Sequence, residues 1–428
     1  MIEKFYDIGK KLFPLNRSIT GKDTLKTLKI ISKNFTNFKI KSIKSGTKVF
    51  DWKIPPEWNV KEAFILDNRN KKIVDFKNNN LHLVGYSKPV KLILTKKKLL
   101  KRLYSLKNNP NAIPYVTSYY KKNWGFCVTE NFKKKLIKKY QSFDKFKILI
   151  NSKFDKNGSL NYGEFYIKGK VEKEILISTY ICHPSMANNE LSGPIVSMSL
   201  ISYFKNLNNY YSMRFLFIPE TIGSIAYISK NLEKLKKKVF CGFNISCIGD
   251  EKSHSYILSK YKNSPSDEAL LLAYKKLKIR KITEFSFLER GSDERQFNSY
   301  GVDLKITSVS RTKYGEFKEY HTSLDNFDLV TKKGLREGYN VVKKALEIIH
   351  KKDFPKSKIL CEPFLTKRKL YPTLSRVNHK NLKPNNFLDF LQYSDGNNSL
   401  EKISLLIKVN IKKTRKIFKN LKKYNLLY

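Results

Sequence analysis

The chain has 428 residues, 41% hydrophobic and 13% aromatic, which argues for a folded protein over a disordered one and allows two or three packed cores. Its formal net charge is +48, from 85 Lys and Arg against 37 Asp and Glu. Lysine is spread over the whole length instead of forming one stripe, so a solvated basic surface is the simpler reading, and any DNA contact is expected to be weak and largely independent of base sequence.

Residues 1–42 read as helices. Asp23 precedes a segment, Thr24 to Phe35, whose Leu25, Leu28, Ile30 and Ile31 recur at helical spacing. The turn Arg17–Gly21 (RSITG) lacks the Gly-Lys-Ser/Thr of a phosphate-binding loop and reads as a helix cap. The texture changes at Ser45. Short β-prone runs (Thr47–Trp52, Ala63–Leu66, Lys72–Phe76, Val90–Leu94) alternate with turn-like clusters such as Pro55–Pro56 and Asn78–Asn80. Residues 43–130 therefore predict an inserted, mainly β domain with Trp52, Trp58 and Tyr86 in its core. Tyr115, Tyr119, Tyr120 and Trp124 form an aromatic cluster that either packs or lines a cleft.

From about residue 145 strands and helices alternate. Phe146–Ile150, Glu164–Ile167, Glu174–Ile181, Arg214–Ile218, Val239–Ile248 and Leu304–Val309 read as strands. Leu191–Phe204, a segment from about Ser224, Ser266–Leu277 and Lys332–His350 read as helices. Residues 1–42 and 131–355 thus predict one α/β core, a sheet with helices on its faces. In such sheets, sites form beyond the carboxyl ends of the strands. Residues 356–377, with Pro and Lys, predict a linker. Residues 378–428 predict a small helical module with helices at Asn386–Tyr393, from a Ser399 cap to about Ile407, and at Ile411–Tyr424, a spacing that fits a winged helix.

No apolar run approaches the roughly 20 residues that span a bilayer, and the N-terminus lacks a signal-peptide core, so the expected location is the cytoplasm. Five scattered cysteines without a CxxC pair suit a reducing compartment.

Four segments carry polar, chemically capable residues. STYICHPSMANNELSG places His183 after an apolar strand, followed by Asn189 and Glu190. RFLFIPETIGS ends a strand at Glu220, CGFNISCIGD ends one at Asp250, and EYHTSLDN holds His321. His, Glu, Asp and His at separate strand exits form a plausible N and O ligand set for a divalent metal. Glu316 and Asp325 flank His321 and are candidates to orient it. No Gly-x-Ser-x-Gly surrounds Ser292 or Gly193, which argues against a serine nucleophile elbow.

These motifs resemble the zinc-dependent aminopeptidases typified by secreted bacterial leucyl aminopeptidases. Ala187–Gly193 (ANNELSG) resembles that family's Ala-Asp-Asp-Asn-x-Ser-Gly loop, Arg290–Phe297 (RGSDERQF) its Gly-Ser-Asp-His-x-x-Phe segment, and Tyr320–Asn326 (YHTSLDN) its Tyr-His-Thr-x-x-Asp segment. The whole chain resembles more closely a bacterial family of aminopeptidase-like proteins associated with surface-polysaccharide gene clusters, through SGTKVFDWKIPPEW, NLHLVGYSKPV, SYYKKNWGFC, ICHPSMANNELSGP and KYGEFKEYHTSLDNFD.

The resemblance implies a mixed-sheet zinc aminopeptidase-like core, an inserted β domain and a C-terminal winged helix. It implies His183 as the first metal ligand and His321 as the last, with Asp250 between them. Asn189 stands where a bridging Asp is expected, and Glu190 at the following carboxylate position. Glu220 falls where two adjacent Glu are usual, one a ligand and one the general base; here one remains, after Pro219. Ser292, Asp293 and Asp325 are implied as supporting residues.

Two readings follow. One is a zinc hydrolase of amide bonds, aminopeptidase-like, acting on a peptide-like, amino-acid or N-acyl-sugar conjugate, with Glu220 as base or ligand. The other is a non-catalytic sensor whose winged helix contacts DNA or a partner. The missing charge at Asn189 predicts one tightly bound zinc ion rather than two. Homo-oligomerisation is left open.

Overall fold

The computed structural model describes residues 1–351, 353–370 and 384–428, and in these the chain is organised around a mixed eight-stranded sheet. Helices α1 (Ile2–Leu12) and α2 (Lys22–Ser32) open the chain. In α1 the buried residues Ile2, Phe5, Tyr6, Gly9 and Leu12 follow helical spacing, so one stripe faces the sheet. Asp23 is a first-turn acid of α2, not its cap: its Oδ2 accepts from the Asn16 N–H at 2.8 Å. The capping position is Gly21 at φ 128°, an angle that side-chain-bearing residues rarely adopt.

After β1 (Lys39–Lys44) the chain enters the inserted domain: β2 (Glu57–Leu66), β3 (Lys72–Asp75), β4 (Val90–Thr95), α3 (Glu130–Lys139) and β5 (Lys145–Asp155). These strands form an antiparallel sheet in the order β3-β2-β5-β4. The boundary expected after residue 130 therefore cuts through this sheet, because β5 is its second central strand. Phe146, Ile148 and Ile150 show the two-residue period of a half-covered strand, but that period says nothing about which strand lies alongside. Trp58 and Tyr86 are buried and stacked at 5.2 Å. Trp52, expected in the core, is 42% exposed and lies against Tyr120 at the surface.

The core sheet adds β6 (Ser159–Ile167), β7 (Val171–Tyr180), α4 (Ser192–Phe204), β8 (Tyr211–Ile218), α5 (Ile222–Lys238), β9 (Val239–Ile245), β10 (His254–Ile257), α6 (Pro265–Lys276), β11 (Ile282–Phe285), β12 (Ile306–Ser310) and α7 (Lys332–Lys351). The strand order is β1-β6-β8-β7-β9-β12-β10-β11. Strands β8, β7, β9 and β12 are mutually parallel, so the residues that follow them emerge on one edge. Alternation distributes the apolar side chains. Ile175, Ile177, Met213, Phe215 and Phe217 meet α1, α4 and α7 on one face. Leu176, Leu216 and Ile218 share the other face with α5 and with Ala63, Ile65 and Phe146 of the inserted sheet. The insertion is thus fused to the core through a common apolar layer. Gly193 lets α4 reach this edge: a Cβ there would lie 2.2 Å from Thr179 Oγ1 and 2.5 Å from the Ile245 carbonyl.

The C-terminal module contains α8 (Pro384–Gln392), α9 (Leu400–Leu406) and α10 (Ile411–Lys423). Residues 356–358, expected to be linker, are built into it. Ser357 N–H donates to the Ser394 carbonyl at 2.8 Å, Lys358 N–H to Leu426 at 3.0 Å, and Tyr428 N–H to Lys356 at 2.9 Å. Leu365 joins Phe390, Ile403, Ile417 and Leu421 in the module's own core. The rest of the expected linker, residues 371–377, lies outside the described residues. The module touches the core through Ser399 Oγ, 2.5 Å from Glu268 Oε1 on α6, and Asn397 Oδ1, 2.6 Å from Lys305 Nζ just before β12. No helix among the described residues is long and apolar enough to cross a membrane.

Candidate metal centre

The exits of the four parallel strands gather buried polar residues at one edge of the sheet. His183, three residues beyond β7, is 4% exposed. Its Nδ1 lies 2.8 Å from Glu190 Oε2 and its Nε2 3.8 Å from Glu220 Oε2. Glu190 comes from the helical turn Ala187–Leu191 that leads into α4. With Glu190 ionised, Nδ1 carries the proton and donates, which leaves the Nε2 lone pair facing Glu220. His321 stands beside His183 with ring centroids 5.4 Å apart. Both imidazoles are held neutral, pushed down to about 3: His183 by burial and the Arg17 charge, His321 by burial and by His183. Tyr115, from the inserted domain, packs edge-on against both rings at 5.3 and 5.2 Å, and Tyr180 against His183 at 5.4 Å.

Glu220 is fixed from two sides. Its N–H donates to Cys182 Sγ at 3.2 Å, tying the β8 exit to the β7 exit. The next residue, Thr221, donates its N–H to Asp293 Oδ1 at 2.8 Å, and its hydroxyl accepts from Arg295 at 2.6 Å. Burial and the neighbouring Asp293 charge push the Glu220 carboxyl well above the usual range, partly offset by a hydrogen bond from Ser292. Asp293 itself is raised by burial. Among the described residues, the one group of His, Cys, Asp and Glu whose potential ligand atoms all lie within 4.8 Å of one another is Cys182, His183 and Glu190. The Cys182 thiol, however, is held far above its ordinary range by burial and by Glu190 and Glu220, so it stays protonated.

The remaining predicted residues do other work. Asp250 does not face the histidines. Its Oδ1 accepts from Lys252 N–H and Thr312 Oγ1 at 2.9 and 2.7 Å, and its Oδ2 from Thr312 N–H and Asn188 Nδ2 at 3.0 and 3.1 Å. Every lone-pair direction is used in joining the β9 exit to the β12 exit. Asn189 is engaged too, its Oδ1 accepting from Tyr180 at 3.0 Å. Asp325 does not orient His321; it cradles the 187–189 turn, accepting from the N–H groups of Ala187, Asn188 and Asn189 at 3.2, 2.5 and 2.8 Å. Burial raises it to about 7 against those hydrogen bonds. Glu316 is exposed and pairs with Lys313 at 3.9 Å. Ser292 borders Glu220 and is held by Asn244 at 3.3 Å.

Ser185, Thr221, Cys247 and His321, all non-glycine, have φ of 44°, 61°, 48° and 53°. Left-handed backbone of this kind costs on the order of 1–3 kcal/mol per residue and persists where the surroundings enforce it, characteristically at functional sites. Here all four sit on the strand-exit loops.

Residues 6–352 match the model of a family described as a domain of unknown function, DUF4910, and residues 353–428 match a winged helix-turn-helix model. The chain belongs to the DUF4910 family. It is 40% identical over 404 residues to a Clostridium acetobutylicum protein named for polysaccharide biosynthesis and an aminopeptidase-like domain, across 93% of this chain and 89% of that one. A crystal structure of a C. acetobutylicum protein described as a peptidase aligns over 100% of this chain and 96% of that chain, at 36% identity and TM-score 0.80. A zinc aminopeptidase from Bacillus subtilis shares the fold at TM-score 0.59 and 14% identity, over 82% of this chain and 94% of its own. The expected family, the aminopeptidase-like core and the C-terminal winged helix are borne out.

For this DUF4910 chain, motif reading missed two contributors. Arg17 belongs to a turn whose sequence reads as a helix cap, yet it is fully buried with its Nε 3.8 Å from Glu190 Oε1. Tyr115 was one of four aromatics with two possible roles; the backbone decides, because its N–H donates to the His321 carbonyl at 2.8 Å. No local signal marks either residue, since both reach the site from separate segments.

Proposed function

We propose that this protein is a cytoplasmic metal-dependent hydrolase of amide bonds. His183, His321 and Glu220 would hold one divalent ion, most simply zinc, and the substrate would be an amino-acid or N-acyl-sugar conjugate in surface-polysaccharide metabolism. The observation that carries the reading is the gap between His183 Nε2 and Glu220 Oε2. At 3.8 Å it is too wide for a hydrogen bond and suits two ligand atoms each about 2 Å from a shared ion. Two neutral imidazoles and a carboxylate are an appropriate zinc donor set, and Glu190 behind Nδ1 is the usual carboxylate support for a metal-bound histidine. The aminopeptidase-like fold and the relative's polysaccharide designation support the substrate class. A single ion fits because Asn189 brings no charge and Asp250 is consumed by Thr312 and Asn188.

When bound, the ion would act as a Lewis acid toward the scissile carbonyl and acidify water. The chain's own part is proton handling and positioning. Glu220 would serve either as a ligand or as the base that accepts the proton of the attacking water and passes it to the departing nitrogen. Tyr115 packs edge-on against both imidazoles and Tyr180 against that of His183, and Glu190, when ionised, fixes the His183 tautomer.

A second reading, a sensor acting through DNA, has its own support. In α10, Lys412, Lys413, Arg415, Lys416, Lys419 and Lys423 are all exposed, which concentrates positive charge on one helix of the winged module. Elemental analysis and amide hydrolysis separate the two. The expected result is about one zinc per chain, lost in His183→Ala and His321→Ala. Glu220→Gln should abolish hydrolysis of aminoacyl anilides or N-acetylated sugars. Full metal content in both histidine variants sinks the site, whereas bound zinc without hydrolysis of any such amide favours the sensor.

A further inference from the structure

We propose that Arg17, on the turn between α1 and α2, is a positioning residue for the metal centre, acting on His183 through Glu190. This rests on the reading of His183 as a ligand. Arg17 is completely buried. One Nη donates to the Leu12 carbonyl, fixing the guanidinium against the end of α1. Its Nε faces Glu190 Oε1 at 3.8 Å, with both side chains at 0% exposure. Glu190 Oε2, on the other side of the carboxylate, holds His183 Nδ1 at 2.8 Å. The three groups form a line from the N-terminal helices to the strand exits: guanidinium, carboxylate, imidazole.

The turn's structure explains why an arginine is held there. Ser18 N–H donates to Thr24 Oγ1 at 3.1 Å and the Thr24 hydroxyl returns a bond to the Ser18 carbonyl at 2.7 Å, which closes the RSITG turn onto α2. Thr20 is locked to the inserted domain through Tyr86 at 2.5 Å. The backbone is thereby pinned, and the Arg17 side chain has one direction to take, inward. It is not placed there by ordinary packing stability. Arg17 Nε and Nη2 and Glu190 Oε1 find no hydrogen-bond partner among the described residues, and a buried charge so poorly satisfied costs stability rather than adding it.

What the arrangement supplies is orientation. Glu190 has one oxygen on His183 and one facing a cation, so rotating the carboxylate would break both interactions together. Without Arg17, Oε1 faces no charge and the side chain is free to leave Nδ1, releasing the imidazole whose Nε2 must face Glu220. Partners at this remove from a metal commonly change its affinity 10- to 100-fold.

The test is zinc affinity of the full-length chain, by competition with a chelating dye at one fixed pH, alongside a thermal melt. Arg17→Met keeps the buried stem and should weaken zinc about tenfold, and Arg17→Lys should recover most of that loss. In a Glu190→Gln background Arg17→Met should add less than a twofold change, because the intermediary is gone. Equal weakening in both backgrounds would show that Arg17 acts only on general stability. A folded Arg17→Met protein with unaltered zinc affinity would also overturn the proposal. Should Arg17→Met fail to fold, Arg17→Gln, alone and combined with Glu190→Gln, gives the same cycle. If the unmodified chain binds no zinc, or binds it independently of His183, the site reading fails first, which is a distinguishable outcome.

Discussion

Two buried arginine–carboxylate clusters, one inside the sheet and one at its edge, are built in opposite ways. On β8, Arg214 makes a two-pronged contact with Glu174 at 2.7 and 2.8 Å and reaches Glu164 at 2.9 Å. Burial pushes Glu164 up, but Arg214 and Lys41 outweigh it and hold the carboxyl below its ordinary value. At the strand exits, Arg17 approaches Glu190 only to 3.8 Å, and burial pushes Glu190 up to about 8 with Arg17 offsetting part of the rise. A structural cluster closes its hydrogen bonds, because an unsatisfied buried charge is expensive. The strand-exit cluster instead leaves Arg17 Nε, Arg17 Nη2 and Glu190 Oε1 without partners among the described residues. Openness of this kind, more than burial or charge, separates the two.

The contrast can be broken at Arg214 first. Arg214→Met leaves buried Glu174 without a cation and Glu164 with Lys41 alone, and should cost about 3–5 kcal/mol in urea unfolding. Arg17→Met in metal-free protein should cost less than half as much, since Glu190 can take up a proton. Equal costs would mean that the two clusters do the same structural job.

The acid and neutral limbs of the stability profile sharpen it further. Glu164 is lowered from an ordinary 4.5, so its contribution is full above that pH and is lost as pH falls through its folded value. The urea midpoint should therefore drop below about pH 4.5, and Arg214→Met should remove much of that slope. Glu190 has the opposite sign. Raised from 4.5 to about 8, it favours the folded state at low pH and gives up that contribution as pH climbs between those values. Metal-free Glu190→Gln should show a flatter midpoint across that window than the unmodified chain; identical profiles would remove Glu190 as the titrating group.

The smallest effect concerns the winged module. Its boundary belongs near residue 353, because residues 356–358 pair with residues 394 and 426–428. Removing residues 353–428 gives up the polar links to Glu268 and Lys305 and should shift the core's midpoint by about 1 kcal/mol while leaving one cooperative transition. Loss of cooperativity would show that core and module fold as one unit, which would also bear on any signal passed from the metal centre to the basic face of α10.

Much of this was written locally. Apolar strands ending in His183 and Glu220, the alternation of strand and helix, and the YHT segment around His321 are short-range patterns, and a parallel sheet turns consecutive strand ends into one edge whatever the details. Asp250 and Asp325 had the right residue type and place for ligand and support, but their oxygens were claimed by the N–H groups of Thr312, Lys252 and residues 187–189. Which way a carboxylate points depends on loops that meet only after the sheet has closed. β5 read plainly as a strand, but its partners were decided by long-range pairing. Arg17 and Tyr115 carry no mark at all in their own segments. Their roles exist because α1 and the inserted domain pack over the strand exits, and burial, distance and the direction of a side chain are properties of that packing, not of the residues.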